Sequence, residues 1–160
     1  MNIRLSIHGR DGVIIGEAVI DASDALIVAG RRWHQDKDGA VWCHVRKPVK
    51  GWTTAKLHRL ITGAPAGMDV DHINHDRRDN RRCNLRVCTH AQNMQNHLGL
   101  GARSGYRGVR QMKGGNWHAR IQINKQDTHL GAFKTKELAW AARREAEIRV
   151  RGEFAPPEVA

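Results

Sequence analysis

Short runs of alternating hydrophobic and polar residues characterise the first third of the chain. Val41–Val45 is one such run, and Asp-Gly and Lys-Asp-Gly-Ala sequences separate it from its neighbours. Alternation with a period of two is typical of strands with one buried face, and glycine-containing interruptions are typical of turns. Residues 1–50 are therefore predicted to form a β-rich module, a small meander. Trp33, Trp42 and the following Trp52 are predicted to fill its core, because tryptophan in a half-buried strand is usually a packing residue.

The middle of the chain predicts a helix, two strands and a second helix. Leu57–Ile61 is predicted to form a short helix, which ends at the glycine and proline residues that follow. Met68–His72 and Leu85–Cys88 are predicted strands, and the Asn-, Asp- and Arg-rich residues 74–84 between them are predicted to form an elaborate loop. Thr89, with a glutamine three residues later, has the spacing of a capping box, so the second helix is expected to begin there.

The last third predicts a second sheet covered by a helix. Trp117–Ile123 alternates without interruption, with Trp, Ala and Ile on one face and His, Arg and Gln on the other. Residues 106–110 and 128–133 are predicted to pair on either side of it. Thr135 can cap a helix that runs to Val150 and packs its alanines against the apolar face of the sheet.

These patterns predict an α+β protein in several parts. An N-terminal β meander over residues 1–50 leads into a module of two strands and a helix over residues 51–97. A Gly-rich linker follows at residues 98–104. Residues 105–156 form the three-stranded antiparallel sheet with its helix, and residues 157–160 form a tail.

Charge points to a polyanionic partner. The 160 residues contain 27 Lys and Arg against 16 Asp and Glu, a net charge of +11, with an isoelectric point near 10.4. Nucleic acid is the first expectation, and a solvated basic surface or a ribosome-associated protein is the alternative. No leader and no long apolar run is found in the sequence, so we expect a soluble protein of the cytoplasm without a membrane partner.

Four short motifs lie in the middle of the chain: Asp71-His72-Ile73-Asn74, Asp79-Asn80-Arg81-Arg82, Asn84-Leu85-Arg86-Val87 and Gln92-Asn93. Together they resemble the HNH endonuclease family, specifically the homing endonucleases of phage and intron type. The resemblance covers about residues 57–96 and implies a ββα-metal module. One departure is His75, where the family more often has glycine.

The residue types in these motifs suit phosphodiester hydrolysis, which needs a base and a cation to neutralise charge on the phosphate. His72 is the candidate base, because an imidazole is neutral near pH 7. Asp71 and the amide oxygen of Asn93 are hard ligands suited to Mg²⁺. Asp71 and His72 can serve one site only if their strand ends or bulges there. The resemblance implies the same roles, and adds Asn84 as the residue that braces the loop.

One Mg²⁺ or Mn²⁺ ion is therefore the expected cofactor. Zinc is not expected, because the histidines have no tetrahedral-site spacing and the cysteines form no C-x-x-C pair. The three cysteines also argue against a disulfide framework and fit a reducing compartment.

Four motifs of the last third, at Ser104–Arg110, Trp117–Ile121, Leu130–Phe133 and Gly152–Ala155, resemble the AP2 DNA-binding domain. A three-stranded ribbon of this kind can enter the major groove of DNA. The candidate DNA-binding residues are Arg107, Arg110, His118, Arg120, Gln122 and His129 in this domain, and Arg81 and Arg82 in the middle loop. The alternative for this face is a solvated basic sheet.

The sequence thus predicts a metal-dependent, site-directed DNA endonuclease of homing type in a bacterial or phage-infected cell. One active site per chain predicts a monomer that nicks one strand of double-stranded DNA. Two alternatives remain open. One is a DNA-binding regulator with an inactive HNH-like loop, and the other is a less selective or RNA-directed nuclease.

Overall fold

The computed structural model describes residues 1–96, 104–123 and 126–156. The chain divides into two compact units, Met1–Asn93 and Met94–Ala160. Both combine strands with helices, which confirms the predicted α+β class. The predicted tail and all of the predicted linker except Ser104 lie outside the described residues.

The first unit contains a five-stranded sheet whose strands are β1 (Asn2–His8), β2 (Ile14–Asp21), β3 (Trp33–Gln35), β4 (Val41–Arg46) and β5 (Trp52–Lys56). Their spatial order is β2-β1-β3-β4-β5. The pairs are antiparallel except β1 with β3, which is parallel. A short helix, α1 (Ala25–Val28), lies in the connection from β2 to β3. The sheet thus departs from a simple meander, because a parallel pair needs a crossover rather than a hairpin.

One hydrophobic cluster joins this sheet to the following elements. Ile7 and Val41 of the sheet are fully buried, and so is Leu57, with Ile61 and Leu85 almost fully buried in the same cluster. This core therefore contains residues from both sides of position 50.

The prediction that three tryptophans fill the core is wrong for two of them, Trp42 and Trp52. Trp33 is buried and belongs to the core cluster. Trp33 pairs with Cys43, so Trp42 points to the opposite face of the sheet and is only half-buried. Trp52 lies at the end of the β4–β5 ladder opposite Arg46 and is 65% exposed.

The remaining elements of the first unit are α2 (Leu57–Thr62), β6 (Asp69–His72), β7 (Leu85–Cys88) and α3 (His90–Gln95). All four were predicted, with boundaries within a residue or two. The helix α2 ends at Gly63, whose φ of +62° is the left-handed conformation that favours glycine. The capping box of α3 is also confirmed. The amide nitrogen of Thr89 donates to Gln92 Oε1 at 2.8 Å, and the amide of Gln92 lies 3.3 Å from Thr89 Oγ1.

The second unit contains β8 (Val109–Gln111), β9 (Trp117–Ile123) and β10 (Gln126–Phe133), followed by α4 (Lys136–Arg151). The strands form an antiparallel sheet in the order β10-β9-β8, and α4 packs against it. This confirms the predicted three-stranded sheet and helix. Thr135 caps α4 through a hydrogen bond from the Leu138 amide at 3.3 Å.

Two details of the second unit differ from the prediction. Strand β8 begins three residues later than expected, because Gly105 and Gly108 have φ angles of +81° and +72°, which belong to turns rather than strands. The buried positions of α4 are Ala139, Arg143 and Glu147, whereas the predicted apolar residues near its end are exposed. A charged pair, Arg143 and Glu147, is thus buried on the same helix as Ala139.

Across the described ranges, no helix is long and apolar enough to span a membrane.

Candidate functional site

The antiparallel pair β6–β7 positions the two central candidates. Asp71 lies opposite Arg86 and His72 lies opposite Leu85. Strand β6 ends at His72, and the chain then turns, with the amide of His75 donating to the His72 carbonyl at 3.0 Å. Both Asp71 and His72 are buried. The strand end is the local geometry that the prediction required for adjacent residues to serve one site.

A polar network built around Asn84 holds the loop between these strands. The buried Asn84 donates from Nδ2 to the Asp79 carbonyl at 2.7 Å, and its Oδ1 accepts from the Asn74 amide at 3.0 Å. Asn74 Nδ2 in turn donates to Asp79 Oδ2 at 3.0 Å. One buried amide therefore connects both ends of the loop, which is the bracing arrangement predicted for Asn84. Its part in any reaction stays a prediction.

The two arginines predicted to touch phosphates bind carboxylates of the protein. Arg81 contacts both oxygens of Asp79, at 2.7 and 2.6 Å, and its guanidinium lowers the pKa of that carboxyl. Arg82 contacts the buried Asp24 at 2.7 Å. The Arg81 pair lies within the loop, whereas Arg82 fastens the loop to the segment after β2. A phosphate would have to share a guanidinium already bound to a carboxylate.

His72 lies in surroundings that keep its imidazole neutral. Burial lowers its pKa, although the hydrogen bond with Asn80 acts in the opposite direction. Its Nε2 lies 3.4 Å from Asn80 Oδ1, and Asn80 Nδ2 donates to the Arg77 carbonyl, which fixes the amide orientation. An oxygen acceptor beside Nε2 favours the tautomer that carries the proton on this nitrogen. The ring also packs edge-on against His58 of α2.

The carboxylate of Asp71 is engaged in an ion pair. Its Oδ2 accepts from Arg86 Nε at 2.8 Å and from Arg86 Nη2 at 2.6 Å, and both side chains are largely buried. Two nitrogens of the guanidinium thus share one carboxylate oxygen, and charge-assisted hydrogen bonds of this kind are stronger than neutral ones. A cation bound at Asp71 would lie beside this guanidinium.

Asn93 of α3 reaches β6 at Asp69. Its Nδ2 donates to Asp69 Oδ2 at 3.0 Å, and His90 Nδ1 lies 2.9 Å from the same oxygen. The hydrogen bond from Asn93 is the main cause that lowers the pKa of Asp69. Asp69 was not among the predicted site residues. The sequence feature that could have identified Asp69 is its position two residues before Asp71, which places both residues on the same face of a strand.

The donor chemistry around β6 suits a hard cation. Two carboxylates and one amide supply the oxygen ligands that Mg²⁺ prefers. The arrangement is incomplete by itself, because the part of the chain that the structure describes contains no group of three or more His, Cys, Asp or Glu side chains that could hold a metal ion. Water and substrate phosphate usually supply the remaining ligands of Mg²⁺.

The region that contains α2, β6, β7 and α3 is similar to a known protein family. Residues 56–95 match the HNH endonuclease family. The match begins just before α2 and ends with α3, so it covers the β6–β7 pair, the braced loop and all six candidate residues of the middle region. We call residues 56–95 the HNH segment. The family suggests a nuclease, with DNA as its partner. No curated protein and no solved structure matches the chain.

The predicted DNA-reading face lies on the second unit. The outward side of β9 presents His118, Arg120 and Gln122, which alternate with buried Ala119 and Ile121. His118 and His129 are in contact across the β9–β10 pair, with a nitrogen–nitrogen distance of 3.0 Å.

The arginines of that unit differ in their surroundings. Arg120 forms an exposed ion pair with Asp127 at 2.9 Å. Arg110 is exposed on β8. Arg107 precedes β8 and lies close enough to Arg143 and Arg151 to affect their pKa values. Arg107 lies in a turn, whereas the other predicted DNA-binding residues of this unit lie in strands. All DNA contacts of this unit stay predictions.

Proposed function

We propose that the protein is a metal-dependent DNA endonuclease of HNH homing type that nicks one strand of its target. The match of residues 56–95 to the HNH endonuclease family carries this proposal. The buried, neutral His72 at the end of β6 supports it, because general base catalysis near pH 7 needs an unprotonated imidazole.

In this mechanism His72 accepts a proton from the attacking water. Asn80 holds the ring by its Nε2, and the Asn84 network fixes the loop beside it. Asp71 and Asn93 would hold one Mg²⁺ or Mn²⁺ ion, with Asp69 orienting the amide of Asn93. The bound ion would neutralise charge on the scissile phosphate and the leaving oxygen.

The second unit would hold the nuclease on duplex DNA as an AP2-like domain. Its outward sheet face combines exposed Arg110, Arg120, Gln122 and His129, and the chain carries a net charge of +11. Arginine and glutamine can bond guanine and adenine edges in the major groove. With one HNH segment per chain, we propose a monomer acting in the cytoplasm of a bacterial or phage-infected cell.

A cleavage assay on supercoiled plasmid tests the catalytic proposal. Wild-type protein with Mg²⁺ or Mn²⁺ is expected to relax plasmid carrying the source genome's flanking sequence, and His72→Ala is expected to lose this activity while retaining gel-shift binding. His8→Ala, a half-buried histidine outside the HNH segment, is the matched control and should cleave normally. Equal cleavage by wild type and His72→Ala would refute the role of His72.

One observation favours a second candidate, a DNA-binding regulator. Asp71 is already paired with Arg86, and Asn93 with Asp69. If these contacts persist on DNA, the wild-type protein would bind duplex but leave it intact with either cation. Arg86→Gln discriminates between the candidates, because it removes the guanidinium charge that is paired with Asp71. Cleavage gained only in that variant would identify the ion pair as inhibitory.

A further inference from the structure

A row of aromatic side chains crosses the outward face of the first unit's sheet. His34 of β3 lies 4.9 Å from Trp42 of β4 between ring centroids, and Trp42 lies 5.1 Å from His44. The same face continues to the rung where Arg46 of β4 pairs with Trp52 of β5. We call these five residues the aromatic face.

Trp52 is unusual among the aromatic residues of this face, because 65% of its surface is exposed. It does not contribute to the core cluster, which lies on the other side of the sheet. A large aromatic ring that is rigidly held by a strand yet left in water has a free π surface. Such a ring can stack on a planar ligand.

The charge around the aromatic face is positive. Residues 44–56 contain Arg46, Lys47, Lys50 and Lys56 and no acidic residue. Arg46, Trp52, His34 and His44 also line a groove of about 380 Å³, together with Arg31 and Arg32. A groove with this lining suits an anionic ligand that carries flat rings.

We propose that the aromatic face binds single-stranded DNA, with an unpaired base stacked on Trp52 and adjacent phosphates held by Arg46 and the neighbouring lysines. Exposed aromatic rings beside cationic side chains are the features by which proteins bind single strands without sequence preference. Unpaired bases are required, because in a duplex each base is already stacked on its neighbours. This surface lies outside the HNH segment and goes beyond the proposed cleavage reaction.

The test is binding of the full-length protein to a fluorescent oligothymidylate of about 20 nucleotides. EDTA is present, so that cleavage cannot occur and failure of the nuclease proposal does not affect the result. Trp52→Ala is expected to weaken binding about 5-fold or more, the loss associated with one stacked base. Trp52→Phe, which keeps a ring, should retain most of the affinity.

Two controls separate stacking from general effects. Leu26→Ala removes a hydrophobic side chain that is 91% exposed elsewhere in the same unit, and should bind as wild type does. Arg46→Ala should reduce the salt dependence of binding by about 0.7 in log–log slope, as expected for one lost phosphate contact on a single strand. Thermal melting of each variant establishes that it is folded.

Three outcomes would overturn the proposal. Wild-type affinity of folded Trp52→Ala for the oligothymidylate would exclude base stacking on this residue. An equal loss of affinity for a duplex of the same length would show that the surface does not select unpaired bases. Tighter binding of oligouridylate than of oligothymidylate, lost in Trp52→Ala, would identify RNA as the ligand instead.

Discussion

The imidazole of His58 meets the imidazole of His72 edge-on, with ring centroids 5.2 Å apart and planes at 90°. His58 is buried at the start of α2, and burial lowers its pKa from the ordinary 6.5 to about 3. The candidate base therefore packs against a second imidazole that stays neutral at physiological pH. This contact joins α2 to the end of β6.

A pH-dependent stability follows from this burial. Between about pH 6.5 and pH 3 the unfolded chain binds a proton at His58 that the folded protein does not bind. The free energy of unfolding should therefore fall as the pH falls through this range, by up to about 1.4 kcal/mol per pH unit from this group. Urea unfolding of wild type and His58→Gln measures the effect, and the variant should show a shallower slope. His44→Gln, which removes an exposed histidine, is the control.

Asn84 should be the most sensitive residue of the braced loop. Asn84→Ala removes the hydrogen bonds of this side chain, and leaves the buried Asp79 carbonyl and the part-buried Asn74 amide without these partners. We expect a loss of about 2 to 4 kcal/mol in the free energy of unfolding. Asn116→Ala, at an exposed turn of the second unit, should change stability by less than about 0.5 kcal/mol. Equal midpoints for the two variants in denaturant would contradict the bracing role.

His75 has a backbone conformation that favours glycine. Its φ of +64° makes it the one non-glycine residue with positive φ among those described. A Cβ in the left-handed region costs about 1 to 2 kcal/mol, and glycine avoids this cost. His75→Gly should therefore be more stable than His75→Ala by about 1 kcal/mol in thermal or chemical unfolding. A more stable alanine variant would contradict the assigned conformation.

Glu147 should be essential for the stability of the second unit. Its carboxylate is 2% exposed and lies 3.2 Å from Arg143 and 2.7 Å from Arg151. Glu147→Ala leaves these guanidiniums without their counter-ion, and loss of one partner of a buried pair costs about 3 to 5 kcal/mol. Glu145→Ala breaks an exposed pair with Arg149 in the same helix and should cost at most about 1 kcal/mol. Similar denaturation midpoints of the two variants would refute the prediction.

Local patterns were sufficient for much of the fold. The alternation in β9 correctly separated buried Ala119 and Ile121 from exposed Arg120 and Gln122, because successive side chains of a strand point to opposite faces. The capping box at Thr89 likewise fixed the start of α3. The parallel pairing of β1 with β3 could not be predicted in this way, since it depends on the path of the chain between them.

The charged core of the second unit was missed for a different reason. Arginine and glutamate are almost always exposed, so a helix pattern assigns them to the solvent side. The available signal was the spacing of four between Arg143, Glu147 and Arg151, which places the three side chains on one face. Only the packing of that face against the sheet shows that the network is buried.

The candidate site was predictable as a set of residues but not as a set of contacts. Asp71 and His72 were placed by their strand, and Asn84 by the loop that it closes. The contact of Asn93 with Asp69, and that of Arg82 with Asp24, join residues 24 and 58 positions apart. Side-chain pairing over such separations is determined by tertiary packing.

The loop between β6 and β7 also closes the edge of the first unit's sheet. Strand β2 is the outer strand, and the amide of Asn80 donates to the Val19 carbonyl at 2.7 Å while the Val19 amide donates to the Arg78 carbonyl at 2.8 Å. An uncovered edge is a template for pairing with other chains. Deleting the loop would therefore expose this part of β2, and self-association of the remaining protein is the expected result.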